Sequence, residues 1–293
     1  MRVDLGGDVI VVTGGAGGLG SAYCRLLARL GARVVVNDTG GVIDGTGGNP
    51  DAAGRVAAEI VAAGGQAVGC PEDGSTVGGA RAVIAVAAET FGRVDGVIAN
   101  AGILRDRTFA KTSDEDFFAV VTAHLAGTVR IFRAAVPLMQ EQGYGRLVAT
   151  SSGAGLFGNF GQSAYGAAKL GIVGLTRTIA LEFARRGIQA NVVVPMAATR
   201  MTAGVLEEEV AAGFSPDLVA SLVAYLASRE CAVTGRIYSV GAGRVARANV
   251  GVTRGRSTSK MTPEWVARNI AAIDDDSEYH FFETAADELR LLS

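Results

Sequence analysis

Val9-Ile10-Val11-Val12-Thr13-Gly14-Gly15-Ala16-Gly17-Gly18-Leu19-Gly20 runs an unbroken apolar stretch into a glycine-rich turn, and the residues up to Leu30 continue with helical spacing. A strand that is apolar at every position belongs in a parallel sheet covered on both faces. The same rhythm recurs downstream. Strands are expected at Val9–Val12, Arg33–Asn37, Ala67–Cys70, Gly96–Ala99, Arg146–Thr150, Gln189–Val194 and Ile237–Val240. Helices are expected at Gly18–Leu30, Asp51–Ala63, Gly78–Phe91, Asp114–Gln142, Ser163–Arg186 and Pro216–Ala227. Alternating strands and helices build right-handed βαβ units. The expected architecture is α/β, a doubly wound parallel sheet of about seven strands with helices on both faces.

The bulk numbers agree. A hydrophobic content of 49% suits a sheet buried on both sides. The 293 residues read as a single domain, with a core over 1–243 and a C-terminal extension over 244–293. The extension is charged and loop-like except for a helix opened by Thr262, Pro263 and Glu264 and running to Ile273. A formal charge of -2 offers no basic field to nucleic acid. No apolar run approaches the length of a membrane span, and the N-terminus enters a strand too directly for a signal peptide. Three unclustered cysteines indicate reduced thiols and a cytoplasmic setting, and two distant histidines, His124 and His280, argue against a metal site.

The glycine-rich turn between strand and helix has the form of a Rossmann-type dinucleotide site. Gly14 permits the tight turn. Gly18, Leu19 and Gly20 bring the backbone and the helix N-terminus to the pyrophosphate. Asp38 ends the second strand, 20 residues past Gly18, where a carboxylate can accept both adenosine-ribose hydroxyls. It would also repel a 2′-phosphate, and no arginine or lysine follows it directly, so NAD is expected over NADP. A turn carboxylate is otherwise an ordinary solvated residue. Asp73, after the third strand, is placed to reach the adenine amino group. Asn100-Ala101-Gly102 ends the fourth strand and would wall the cofactor. Between Asp38 and Pro50 lies a glycine-rich loop of unusual length for a βα connection.

Tyr165-Gly166-Ala167-Ala168-Lys169 carries the chemistry. Residues four apart share a helix face, so the ammonium can sit near the phenol, lower its pKa and make it a general acid or base. Lys169 is one of three lysines, with Lys111 and Lys260, against 24 arginines in a total of 27 basic residues. It marks a place where a compact ammonium was needed, although genomic bias alone can produce that ratio. Ser152 ends the fifth strand on the same edge, where its hydroxyl can stabilise charge on a substrate oxygen. Ser151 is the neighbouring alternative. These residues together indicate a nicotinamide-dependent oxidoreductase. A dinucleotide-binding protein without catalysis is the reading from a different class, and the presence of both tyrosine and lysine counts against it.

In this order, Thr-Gly-x-x-x-Gly-x-Gly, Asn-Ala-Gly, Ser and Tyr-x-x-x-Lys resemble the short-chain dehydrogenase/reductase family. Longer strings are similar to its (3R)-hydroxyacyl-CoA dehydrogenase branch, found in multifunctional β-oxidation enzymes of type 2. They include Asn37–Gly41, Asn100–Arg107, Gly158–Gln162, Arg200–Thr202 and Val240–Gly243, so that the likeness covers essentially the whole chain. It implies NAD-dependent oxidation of 3-hydroxyacyl-CoA, with a fatty or steroid acyl group, by a homodimer or homotetramer. A separate hydratase would then supply the substrate. Oxidation of free hydroxysteroids or other secondary alcohols stays open, because the catalytic residues do not distinguish it. Four departures stand out: Ala99 precedes Asn100; Pro195 is followed by Met196 where the family has glycine at the nicotinamide wall; His124 stands, as in the multifunctional branch, where many members have an asparagine whose backbone carbonyl holds a relay water; and the Gly74–Gly79 stretch is longer than the family pattern at the adenine contact. Phe157, Phe160 and Met201 would suit an acyl or sterol body.

Overall fold

A computed structural model describes residues 2–198 and 213–292. The chain divides into two compact units, Met1–Arg247 and Ala248–Ser293. In the first, β1 (Val9–Thr13), β2 (Arg33–Asn37), β3 (Gln66–Cys70), β4 (Gly96–Ala99), β5 (Gly145–Thr150), β6 (Ile188–Pro195) and β7 (Ile237–Gly241) pair in parallel, and β8 (Arg244–Ala248) completes the sheet in the order β3-β2-β1-β4-β5-β6-β7-β8. The order reverses between β1 and β4. Ligands of such sheets bind at that switch point, beyond the carboxyl ends of the strands.

Side-chain alternation along β1 feeds both faces. Ile10 and Val12 enter a core with Tyr23 and Leu27 of α1 (Gly18–Arg29), Val56 of α2 (Asp51–Ala62) and Val223 of α8 (Pro216–Ala227). Val9 and Val11 pack with Val83 of α3 (Val77–Phe91) and with Ile131, Phe132 and Met139 of α5 (Gly127–Gln142). Each large side chain so buried contributes about 1.5–3 kcal/mol.

The helix expected over Asp114–Gln142 is two helices, α4 (Asp114–Val121) and α5, joined by a π-helical turn at Thr122–Ala126. Contrary to the sequence reading, this stretch is long and apolar enough to cross a membrane by length and composition. Along it Val120, Ile131, Phe132 and Met139 are buried in the core, whereas Phe118 is exposed. The helix expected to reach Arg186 is α7 (Ser163–Phe183) followed by a 3-10 turn, and a short α6 (Gly153–Phe157) precedes it.

Where the charged sequence after β7 reads as loop, the structure has β8, entered through a two-residue turn with positive φ at Ala242 (46°) and Gly243 (76°), which suits a tight hairpin. The second unit contains the expected helix, α9 (Pro263–Ile273), capped by Thr262. It also has an antiparallel pair, β9 (Gly251–Thr253) with β10 (Tyr279–Phe281), and α10 (Ala285–Leu292). The Thr253 hydroxyl donates to the Ile273 carbonyl at 2.8 Å.

Candidate active site

At the switch point lies a cleft of about 1350 Å³, above the range of drug-sized pockets. The glycine-rich turn forms one wall. Gly14 has φ 65°, and a Cβ on Gly20 would stand 2.0 Å from the Gly14 carbonyl oxygen, so the turn folds only as glycine. Gly18 and Leu19 line the cleft, and α1 starts at Gly18, its N-cap Gly17 offering no side-chain cap. Its first amides are free of intrahelical partners and carry the positive end of the helix dipole. This donor set fits a pyrophosphate.

Thr13, which sequence reasoning passed over, braces the turn. Its Oγ1 accepts from the Asn100 and Ala101 amides at 3.0 and 3.1 Å, while Asn100 Nδ2 donates to the Thr13 and Gly14 carbonyls at 3.3 Å. Asn100 thus holds the cofactor turn as well as lining the cleft. Asp38 also lines it. Its Oδ2 accepts from Ala16 N at 2.9 Å and its Oδ1 from Gly40 N at 2.7 Å. A carboxylate has about four acceptor sites, so capacity is left for ribose hydroxyls. Asp73 lines the cleft too, with Oδ1 engaged by Ser75 N at 2.9 Å. Two guanidiniums also line the cleft, which the sequence argument did not place: Arg25, paired with Glu59 at 2.8 Å, and Arg55.

Gly102 separates this cleft from the polar cluster behind it. A Cβ there would meet His124 Cε1 at 1.9 Å, so the missing side chain is what admits the imidazole. His124 sits in the π turn. Its Nε2 is 3.1 Å from the Ile103 amide and 2.8 Å from the Ile103 carbonyl, so either tautomer finds a partner on one residue. Its Nδ1 is buried without a hydrogen-bond partner among the described residues. Burial, reinforced by the charge of Lys169, pushes the imidazole down to about 3, which keeps it neutral. Its ring meets Tyr165 edge to face, with centroids 5.1 Å apart.

Tyr165 and Lys169 share a face of α7, as the spacing requires. Lys169 Nζ lies 5.4 Å from the Tyr165 ring centroid and donates to the Thr150 carbonyl at 2.7 Å. The ammonium is buried with no carboxylate beside it among the described residues, and burial pushes it down to about 7. Here the electrostatics differ from the sequence expectation. The phenol is pushed up, not down, because burial outweighs the opposing hydrogen bond from Ser152, and the Asp106 charge adds to the rise. Nearness to a lysine is not enough when both groups are desolvated.

The two serines separate clearly. Ser151 is buried and donates to the Lys169 carbonyl at 2.7 Å, whereas Ser152 caps α6 through Ala154 N at 3.2 Å and sits near enough to the phenol to pull its pKa down against burial. Pro195 closes β6 on the same sheet edge but is not part of the cleft lining. Phe157 and Phe160 are 81% and 89% exposed, in and just beyond α6. Met201 lies outside the described residues.

A dinucleotide cleft at the switch point, with a Ser–Tyr–Lys cluster on the same edge, defines a nicotinamide-dependent oxidoreductase fold. The chain matches the family model described as short chain dehydrogenase over residues 8–210, and it belongs to that family, whose members act on CH–OH groups with a nicotinamide dinucleotide.

Among its relatives is the peroxisomal multifunctional enzyme type 2 of Mus musculus, 43% identical over 275 residues, which cover 92% of this chain and 37% of that one. This chain therefore spans little more than a third of that enzyme. Hydroxyacyl-CoA dehydrogenase ChsB1 of Mycobacterium tuberculosis is 42% identical over 252 residues, 81% of this chain and 78% of that one. A crystal structure of a short chain dehydrogenase from Mycobacterium avium superposes with a TM-score of 0.80 at 40% identity, covering 92% and 95% of the two chains.

Proposed function

We propose that the protein oxidises (3R)-3-hydroxyacyl-CoA to 3-ketoacyl-CoA with NAD. The observation that carries this reading is the Ser152–Tyr165–Lys169 cluster at the carboxyl edge of the sheet, behind a cleft bearing Asp38. The relative named hydroxyacyl-CoA dehydrogenase supports the acyl-CoA substrate.

A bound NAD supplies the hydride acceptor. The chain's own groups handle the proton and the developing charge. Tyr165 Oη takes the proton of the 3-hydroxyl, and Ser152 Oγ holds the same substrate oxygen by a hydrogen bond. Lys169, whose amine is held down to about 7, is the residue to hold the nicotinamide ribose. Because the phenol begins above its ordinary value, oxidation should speed up as pH rises toward phenol ionisation. Asp38 selects NAD, since a 2′-phosphate would place like charges together. Neutral His124, bonded to Ile103 and packed on Tyr165, holds the phenol ring in place; its backbone carbonyl accepts from the Thr128 hydroxyl at 2.8 Å, and a relay through it would have to share that bond.

The test follows NADH absorbance with (3R)-3-hydroxyacyl-CoA, its (3S) isomer and a free 17β-hydroxysteroid. Turnover confined to the (3R) thioester is the expected result. Turnover of the free steroid with inert thioesters would move the substrate to sterol alcohols.

A further inference from the structure

A group that takes a proton answers to every charge near it, and one charge near Tyr165 comes from outside the Ser152–Tyr165–Lys169 cluster. The loop after β4 runs beside the entry to α7. The Arg107 amide donates to the Gly161 carbonyl at 2.9 Å, and Arg107 and Gln162 form an isolated parallel bridge. Gln162 is the N-cap residue of α7, yet its side chain makes no cap bond. It is spent on the loop instead. Its Nε2 donates to Asp106 Oδ2 at 2.6 Å, and its Oε1 accepts from Asn159 Nδ2 at 2.9 Å.

The cations flanking Asp106 turn away from it. Arg105 bridges the Asp44 carbonyl at 2.9 Å and Asp116 Oδ1 at 3.1 Å, and Arg107 Nε lies 3.8 Å from Asp116 Oδ2. Asp106 keeps an amide donor but, among the described residues, no ion pair. Tyr165 is the third residue of α7, and the N-cap and third helical positions are the ones that a helix start brings together. Gln162 therefore pins an unneutralised carboxylate at the end of the helix that carries the phenol.

The other groups around the phenol do not cancel that charge. His124 on the π turn is neutral and meets the ring edge to face, and Ser152 before α6 is uncharged. Lys169 lies one turn on along α7, with Nζ 5.4 Å from the ring centroid, and is itself held down to about 7. On α4, which packs against α7, Asp116 is matched by Arg105 and Arg107, and Asp114 and Glu115 are exposed. Asp106 acts on the phenol in the same direction as burial, against ionisation.

We infer that Asp106 is a positioning residue for proton transfer: held by Gln162, its carboxylate sets the pH at which Tyr165 passes from donating a proton to accepting one. The inference rests on the reading of Tyr165 as the general base of a hydroxyacyl-CoA oxidation, and it gives the loop after β4 a share in that chemistry. The sign runs against oxidation. A negative charge near the phenol disfavours phenolate, so the site keeps its proton for ketone reduction over a wider pH range.

The test is single-turnover NADH formation from (3R)-3-hydroxyacyl-CoA by the full-length protein, across the pH range below phenol ionisation. Asp106→Asn keeps an acceptor for Gln162 and removes the charge. It should speed the step about threefold at each pH, equivalent to a shift of about half a pH unit, the scale of one charge near a protein surface. KM, and NAD affinity from fluorescence titration, should not change. Asp106→Glu should restore the wild-type profile. Added salt should speed the wild type toward the Asp106→Asn rate and leave that variant where it is. A rate for Asp106→Asn at or below wild type at every pH would overturn the inference and leave Tyr165 as the base, because the carboxylate would then only hold the loop. The same gain in Asp106→Glu would overturn it too, since charge would not be the cause. Absence of turnover in the wild type would remove the general-base reading itself, and this inference with it.

Discussion

At the amino ends of β1, β4 and β5 the sheet buries charge beside countercharge, although Asp8 Oδ2 and the Tyr144 hydroxyl have no hydrogen-bond partner among the described residues. Asp8 and Asp95 are 2% and 0% exposed; Arg229 pairs with Asp8 at 2.7 Å, and Arg93 with Asp95 at 2.7 Å. Arg146 is spent on the carbonyls of Ser228, Gly145 and Gly187, and Tyr144 lies between the Arg146 and Arg229 guanidiniums, each 4.2 Å from its ring centroid. At the carboxyl ends the sheet buries Lys169 with no countercharge, and His124 with an unpartnered Nδ1, among the described residues. The same strands carry both arrangements. A buried charge left without its partner is costly, whereas a paired one is nearly neutral. The amino edge therefore carries little electrostatic penalty, and the carboxyl edge bears that of an uncompensated amine, as sites that hold substrate and cofactor do.

If that contrast holds, substitutions at the two edges should have separate consequences. Tyr165→Phe should lower kcat by about 10²–10⁴-fold, the usual contribution of a general acid–base group, while NAD binding measured by fluorescence titration survives. Loss of NAD binding with the activity would mean that the ring holds cofactor and is not the proton acceptor. Asp95→Ala should do the reverse. It removes the partner of Arg93 and the acceptor of the Val9 amide, and should cost roughly 3 kcal/mol in urea unfolding with kcat per folded molecule unchanged. A smaller effect is expected at the rim of the cleft. Asp38→Ala should shift the NAD-to-NADP preference by about ten- to hundredfold, with Arg55 as the nearby cation available to a 2′-phosphate. An unaltered preference would transfer cofactor choice to another group.

The strands were legible because each is a short apolar run between turn residues, and the Tyr165–Lys169 pair because one helical turn relates them. The site's remaining features depend on residues far apart in sequence. The Arg105 bridge spans Asp44 and Asp116, and nothing local marks that arginine among 24. The smallness of Gly102 acquires meaning only when His124 arrives from a π turn, and an apolar, periodic stretch gives no sign of where such a turn falls. Phenol ionisation could not be read from a four-residue spacing, because the decisive influence is burial by residues from β5, α6 and the π turn. The strands after Gly243 are three to five residues long and leave Val245, Val252 and Phe281 exposed, so they lack the buried apolar runs that revealed the others.

Lys169→Met tests the contrast between the edges most directly. An amine pushed down to about 7 in the folded state, against about 10.4 when unfolded, binds its proton less tightly folded than unfolded. The wild-type protein should therefore gain stability as pH rises from about 7 toward 10.4, and forfeit it as pH falls through 7. Replacing the amine with an apolar chain of similar length should flatten that dependence and abolish turnover. At pH 6, without cofactor, it should raise Tm by several degrees, at roughly 2–4 °C per kcal/mol for a domain of this size. A Lys169→Met protein less stable than wild type at every pH would contradict the account, because the lysine would then be a structural group like those at the amino edge.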